Sequence, residues 1–73
     1  MNPNVAVGGE VARLRTDRKM RQDDLAAALE IHQAHLSRLE RGHYRWTVEM
    51  VYAAAKALKV TPAKLLPTLE SRS

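Results

Sequence analysis

The sequence of 73 residues contains no cysteine and no phenylalanine. Apart from histidine, its aromatic residues are one tryptophan and two tyrosines. Without cysteine the chain has no disulfide bond and no thiolate metal site, which fits a reducing cytoplasm. With so few aromatic side chains, the core must be aliphatic and rich in alanine, which favours close-packed helices over a sandwich of sheets. A chain of this length forms one small domain.

Long uncharged runs are also absent. The longest is MNPNVAVGG at residues 1–9. It is too short and too polar to span a membrane, and it lacks the basic start of a secretion signal. We therefore expect a soluble, cytoplasmic protein.

Basic residues outnumber acidic residues by 12 to 8, which gives a net charge of +4 and a pI near 10.0. This surplus alone does not establish a polyanionic partner, because many small proteins are basic for solubility. The position of the charges is more informative, since they cluster on both sides of residues 22–37. The clustered residues are Arg18, Lys19, Arg21, Arg38, Arg41 and Arg45.

The stretch QDDLAAALEIHQAHLSRLERG, residues 22–42, contains two short helical patterns. Leu25, Ala26 and Leu29 share one face of the first, and Leu36 and Leu39 share one face of the second. Only residues 30–32 separate them, and so short a connection makes the two helices cross steeply. This arrangement predicts a helix-turn-helix, with Ala26 small because the two helices approach each other there.

The face of the second helix that carries no large hydrophobic residue is polar. It consists of Gln33, Ala34, Ser37, Arg38 and Arg41. Gln pairs with adenine through two hydrogen bonds, Arg pairs with guanine, and an alanine methyl group contacts thymine in a major groove. An exposed helix surface has the same composition, so Ala34 in particular is equally well explained as ordinary surface.

Further helices are predicted on either side of this motif. Residues 1–6 have no periodicity and are interpreted as a flexible arm, followed by a first helix at 7–18. Pairs of apolar residues five positions apart mark the other helix starts, because a residue before the cap packs on the fourth helical residue. The four pairs are Met20 and Leu25, Ile31 and Leu36, Trp46 and Val51, and Val60 and Leu65.

These starts predict helices at 22–29, 33–41, 48–58 and 62–69, and Pro67 can end the last of them early. We expect the helix at 48–58 to bury Val48, Val51, Tyr52, Ala55 and Leu58. Trp46 is expected in the core because of its place in an apolar pair. The resulting fold is all-α, with five helices in one domain at residues 7–69 and a tail at 70–73.

The chain resembles the Cro/CI and XRE-type helix-turn-helix transcriptional regulators, which share a λ-repressor-like domain. The resemblance covers roughly residues 7–66. Its most specific part is the spacing of Gln22, Leu25, Ala26, Leu29, Ile31, Leu36, Ser37, Arg38, Glu40, Arg41 and Gly42. It implies a sequence-specific DNA-binding regulator, a repressor or dual regulator, that binds a pseudo-palindromic operator in double-stranded DNA as a homodimer.

The resemblance also implies roles for individual residues. The base-reading positions correspond to Gln33, Ala34, Ser37 and Arg38. The positions that contact phosphate correspond to Gln22, Arg21, Arg41, His43, Tyr44 and Arg45. Arg15 and Glu40 correspond to an interhelical ion pair, which makes Arg15 structural. Tyr44 has a second interpretation, as a residue packed at a subunit contact.

Five residues depart from the family pattern. Glu30 and Lys19 stand where glycine is frequent, Arg21 and His32 occupy helix-cap positions that usually hold serine or threonine, and Trp46 replaces a common proline. A non-glycine residue in a left-handed turn costs on the order of 1 kcal/mol. A poor cap costs about 1 kcal/mol.

Several alternatives remain at this stage. A metal site is one alternative, because three histidines lie close together in the sequence, at His32, His35 and His43. Since there is no cysteine and no inward carboxylate, we expect no metal and no cofactor. No nucleophile with a base is evident, so we expect no enzyme. The dimer surface is expected at Val60, Leu65, Leu66 and Leu69. The alternative function is an antitoxin-like or adaptor protein whose main partner is another protein.

Overall fold

The computed structural model describes residues 2–65, which form five helices and no strand. The helices are α1 (Pro3–Asp17), α2 (Gln22–Leu29), α3 (Gln33–Glu40), α4 (Val48–Leu58) and α5 (Pro62–Leu65). The all-α fold class is therefore confirmed. Within the described range, none of these helices is long and apolar enough to cross a membrane.

The predicted starts of the last four helices agree with the structure. α2 and α4 have the predicted bounds, and α3 ends one residue earlier than predicted, at Glu40. α5 begins at Pro62 as expected, and the remainder of its predicted length, including Pro67, lies outside the described residues. The apolar pairs identify these starts well because each pair fixes both the residue before the cap and the first buried helical residue.

The start of α1 is different from the prediction. Residues 3–6, interpreted from the sequence as part of a flexible arm, form the first turn of α1. Asn2 caps the helix by accepting a hydrogen bond from the backbone N–H of Asn4 at 2.9 Å, and Pro3 occupies the first helical position. Asn and Pro suit these two positions because Asn satisfies a free N–H and Pro lacks one.

The core is aliphatic, as the composition requires. Its buried hydrophobic residues are Val7, Val11, Leu14, Leu25, Ala26, Leu36, Leu39, Trp46, Val51, Ala54, Ala55, Leu58 and Leu65. Trp46 is the one aromatic residue in this cluster, and its indole Nε1 donates to the backbone oxygen of Leu39 at 2.9 Å. Its backbone N–H donates to the Asn4 side chain at 2.8 Å, so α1 is also tied to the segment before α4.

The expected positions of three residues are wrong. Val48 and Tyr52 are 69% and 58% exposed, because α4 turns Val51, Ala54, Ala55 and Leu58 inward instead. Apolar spacing alone does not decide which residues of an alanine-rich helix face the core, since several small residues fit. Leu65, expected at a dimer surface, is 0% exposed and belongs to the core of the single chain. Leu66 and Leu69 lie outside the described residues.

Gly8 of α1 packs directly against the backbone at the end of α3. A Cβ atom at this position would lie 2.3 Å from the backbone oxygen of Leu39 and 2.6 Å from that of Glu40. Both neighbours are backbone atoms, so no side-chain rotation relieves the overlap. The absence of a side chain at Gly8 therefore allows the backbones of α1 and α3 to pack at this short distance.

We expect Gly8→Ala to lower the free energy of unfolding by about 1–3 kcal/mol, the usual range for forcing an extra methyl group into a packed contact. Gly9→Ala is the matched control, because a Cβ there meets nothing within 4 Å. It should raise the free energy of unfolding by roughly 0.5–1 kcal/mol, since alanine favours helix interiors. Urea unfolding measures both, and equal effects of the two substitutions would contradict the close approach.

Candidate nucleic-acid interface

The connection between α2 and α3 uses a left-handed backbone conformation at Glu30, with φ 60° and ψ 42°. The Glu30 N–H donates to the oxygen of Ala27 at 3.1 Å, and the Ile31 N–H donates to that of Ala26 at 3.0 Å. Ala26 is only 2% exposed, and Ile31 packs against the core. The steep crossing predicted from the short connection thus rests on a turn that glycine would adopt with less strain.

Neither helix of the motif has a side-chain cap at its start. Arg21 and His32 both lie in extended backbone at the cap positions and make no side-chain cap hydrogen bond. Instead the Arg21 N–H donates to the Asp24 carboxylate at 3.2 Å, and the Arg21 guanidinium pairs with Asp23 at 3.1 Å. The acidic residues of α2 therefore complement its helix dipole and hold the exposed Arg21 side chain.

The outer face of α3 is the surface expected to contact DNA bases. Leu36 and Leu39 point into the core, while Gln33, Ala34 and Arg38 are exposed. Ser37 is half-buried, and its hydroxyl accepts a hydrogen bond from Arg41 at 3.1 Å. The Arg38 side chain makes no hydrogen bond or ion pair with any other residue between 2 and 65.

The loop after α3 brings three further candidates to the same end of the molecule. Gly42 turns the chain with φ 80°, and the His43 N–H donates to the oxygen of Arg38 at 2.9 Å. His43, Tyr44 and Arg45 are all exposed. The Tyr44 ring packs on the ring of His35 with centroids 5.0 Å apart, which ties the loop to α3. Sequence reasoning did not identify this contact, because it depends on the path of the loop.

The three histidines do not form a metal cluster. Across the part of the chain that the structure describes, no three His, Cys, Asp or Glu side chains are placed to share a metal ion. His35 packs against Tyr44, and His32 stands at the start of α3.

Arg15 of α1 and Glu40 of α3 form an ion pair with two hydrogen bonds. The guanidinium Nε lies 2.7 Å from Glu40 Oε2, and Nη2 lies 3.1 Å from Oε1. The two side chains are 13% and 5% exposed. Arg15 also donates to the backbone oxygen of Met20 at 2.9 Å, so a single guanidinium joins α1, α3 and the turn before α2.

Glu40 also accepts a hydrogen bond from Gln22, at the start of α2. Gln22 Nε2 lies 2.9 Å from Glu40 Oε1, and Gln33 Nε2 lies 3.3 Å from Gln22 Oε1. The chain of contacts runs from the buried ion pair to the first residue of α3. It connects the position expected to contact phosphate with one expected to contact a base, and it was not foreseen from the sequence.

These features together are those of a helix-turn-helix DNA-binding domain, with a packed first helix, a left-handed turn and a polar outer face on α3. Residues 11–65 match the helix-turn-helix family of sequences, so the chain belongs to that family. It is a helix-turn-helix transcriptional regulator, and its family and fold indicate a DNA-binding regulator rather than an enzyme.

Individual relatives support this assignment. An uncharacterized HTH-type transcriptional regulator, y4dJ of Sinorhizobium fredii, is 38% identical over 72 residues, which cover 97% of this chain and 94% of y4dJ. The clp gene regulator ClgR of Corynebacterium glutamicum superposes with a TM-score of 0.84 at 26% identity, covering 94% of this chain and 90% of ClgR. The restriction-modification controller protein C.AhdI of Aeromonas hydrophila gives 0.79 at 26% identity, covering 85% and 94%.

We expect Arg15→Met to lower the free energy of unfolding by about 3 kcal/mol or more, because it leaves the Glu40 carboxylate buried without its cation. Arg13→Met is the matched control on the same helix. Arg13 is exposed and pairs with Glu10 and Asp17, and its hydrogen bond to Glu10 lowers the pKa of that carboxyl.

Loss of such a surface pair changes stability little. Thermal or urea unfolding of the two variants tests the contrast. If Arg15→Met were as harmless as Arg13→Met, the buried pair would not be needed to hold α1 on α3.

Proposed function

We propose that this chain binds specific sequences in double-stranded DNA by placing α3 in the major groove, and thereby regulates transcription. The observation that carries the proposal is the outer face of α3, where Arg38 is exposed and its side chain makes no hydrogen bond or ion pair within residues 2–65. A free guanidinium pairs with guanine through two hydrogen bonds. Gln33 and Ala34 lie exposed about one turn earlier in α3.

Phosphate contacts fix the orientation of α3. Gln22 stands at the first position of α2, where backbone N–H groups and the helix dipole favour an anion. Arg41, His43, Tyr44 and Arg45 follow α3 on an exposed segment. Contacts of this kind position a protein on DNA without specifying the sequence.

The proposed active form is a homodimer on a pseudo-palindromic operator, with two α3 helices about 34 Å apart on one side of the duplex. Because Leu65 is buried, we place the proposed dimer surface on the outer face of α4 and the start of α5. Tyr52, Ala53, Ala55, Lys56, Val60 and Pro62 line an open apolar groove there.

The charges on α4 fit a second copy of the chain. Glu49 and Lys56 are exposed and seven residues apart, which is about two turns, so they lie on the same face. If two α4 helices pack antiparallel across a two-fold axis near Tyr52, Lys56 of each chain lies opposite Glu49 of its partner. The surface is then self-complementary, as a two-fold interface must be.

The relatives agree with a regulatory role. ClgR is a clp gene regulator and C.AhdI is a restriction-modification controller. By analogy, the proposed role of this chain is the regulation of genes, either as a repressor or as a dual regulator.

The first experiment measures binding to the duplex upstream of the protein's own gene and to a scrambled duplex, at two salt concentrations. We expect a preference of about 10³-fold or more, with affinity falling steeply as salt rises. Arg38→Ala should lose about 1–3 kcal/mol of that preference. Arg13→Ala removes the same charge from α1, and its preference should be unchanged.

Equal, weak binding to both duplexes, with no effect of Arg38→Ala, would contradict sequence-specific binding. In that case the alternative would apply, in which the domain serves as an antitoxin-like or adaptor protein for a protein partner.

The second experiment tests the dimer surface by exchanging charges. Glu49→Lys and Lys56→Glu should each weaken the dimer, because like charges then face each other across the two-fold axis. The double variant should restore it. Sedimentation equilibrium at tens of micromolar measures all three against the wild type. A monomeric wild type would contradict dimerisation, and single variants that dimerise normally would contradict this surface.

A further inference from the structure

The exposed loop between α3 and α4, at residues 42–46, has few hydrogen bonds of its own. It carries three of the residues proposed to contact phosphate, namely His43, Tyr44 and Arg45. The backbone N–H groups of Tyr44 and Arg45 make no hydrogen bond with any residue between 2 and 65. A backbone with few such bonds keeps one path only where its ends are held. The position of these side chains therefore depends on how the loop is anchored.

The first turn of α1 meets the loop at both ends. At its start, a Cβ atom on Gly42 would lie 2.5 Å from Cγ2 and 2.7 Å from Cα of Val5, so the two residues are in direct contact. At its end, the Asn4 side-chain oxygen accepts a hydrogen bond from the backbone N–H of Trp46 at 2.8 Å. Two neighbouring residues of α1 thus hold the loop on either side of the three proposed phosphate contacts.

The contact between Asn4 and Trp46 depends on the residues at both positions. A backbone N–H only donates, so the amide oxygen of Asn4 must face it. Asn4 is itself held in the helix, because its own N–H donates to the Asn2 side chain at 2.9 Å. Proline, which is common at position 46 in the family, has no N–H and could not make this contact. This chain therefore anchors its loop by a hydrogen bond that the common proline would not allow.

We infer that Asn4 is a positioning residue for DNA binding, because its hold on the Trp46 N–H keeps the loop in the path from which Arg45 reaches a phosphate. In this role Asn4 acts through the loop and does not touch DNA. A loop that is ordered before binding does not lose conformational freedom when it meets the duplex, so more of the contact free energy remains as affinity. The inference rests on the proposed function, since it assumes that the loop contacts phosphate.

Binding to the upstream and the scrambled duplex tests this role. Asn4→Leu removes the acceptor with little change in side-chain size. We expect it to weaken binding to both duplexes about fivefold and to reduce the salt dependence by about one phosphate contact, because phosphate contacts are common to all sequences. The preference between the two duplexes should stay within about twofold of the wild-type value. An affinity and a salt dependence equal to those of the wild type would overturn the inference.

A second substitution separates positioning of the loop from a general loss of stability. In Arg45→Ala the contact that Asn4 positions is already gone, so adding Asn4→Leu should weaken binding only about twofold or less. Arg38→Ala is the matched control, because it changes α3 and not the loop, and adding Asn4→Leu there should still weaken binding about fivefold. Equal losses in the two backgrounds would overturn the inference. Unfolding curves show whether the variants are folded, and Asn4→Ala replaces Asn4→Leu if that variant is not.

A third measurement needs no DNA. Hydrogen exchange of the Trp46 amide in the free protein should become about tenfold faster or more in Asn4→Leu. Asn4→Asp keeps an oxygen acceptor, so exchange should stay slow in that variant. Exchange that is unaffected by Asn4→Leu would overturn the inference whatever the DNA result. Failure of the wild type to bind either duplex would instead contradict the proposed function, while specific binding that Asn4→Leu leaves unchanged would contradict only this inference.

Discussion

The position of α3 depends on the buried ion pair between Arg15 and Glu40. The pair joins α1 to the end of α3 through two hydrogen bonds, and the third contact of Arg15 holds the turn before α2. Gly8, about two turns before Arg15 on α1, lets the two helix backbones approach each other. A buried ion pair adds little net stability over an apolar pair of the same shape, but its two hydrogen bonds form only when the guanidinium and the carboxylate are aligned. Its contribution here is to orient α3, and through α3 the surface proposed to contact DNA.

Within residues 2–65, the connections between helices include three residues that adopt the left-handed conformation without being glycine. They are Lys19, Glu30 and Lys59, with φ between 55° and 61°. Each costs roughly 1–2 kcal/mol relative to glycine. The lack of side-chain cap hydrogen bonds at Arg21 and His32 lowers the stability further. The turns are nevertheless held, because Met20, Ile31 and Val60, the residues that follow them, all pack against the core. The hydrophobic contacts thus compensate for local strain at each of these corners.

The sequence predicts the middle of this fold better than its edges. Bounds of α2 and α4 follow from apolar pairs, which report a local contact. The predicted start of α1 was wrong, because Asn2 and Pro3 are as common in a flexible segment as at a helix start. The hydrogen bond between Asn4 and Trp46 joins residues 42 positions apart, so no local pattern in the sequence indicates it. The prediction that Tyr52 is buried was wrong, because the alanine-rich helix α4 contains more apolar residues than can face the core. The contacts of Gln22 with Glu40 and of His35 with Tyr44 required the tertiary structure, since nothing local distinguishes them from exposed polar residues.

The contacts in the free protein also indicate how much binding free energy each proposed DNA contact would contribute. Arg21 already pairs with Asp23, and Arg41 already donates to Ser37, so a phosphate must replace an existing interaction at each of these residues. Arg38 has no such interaction among residues 2–65, and its contact with a base would replace only water. Exchanging one hydrogen bond for another contributes little net free energy, whereas a new charge-assisted hydrogen bond in a groove contributes more. In the proposed complex, the unpaired Arg38 would therefore contribute more to sequence preference than Arg21 or Arg41, whose existing partners a phosphate would have to replace.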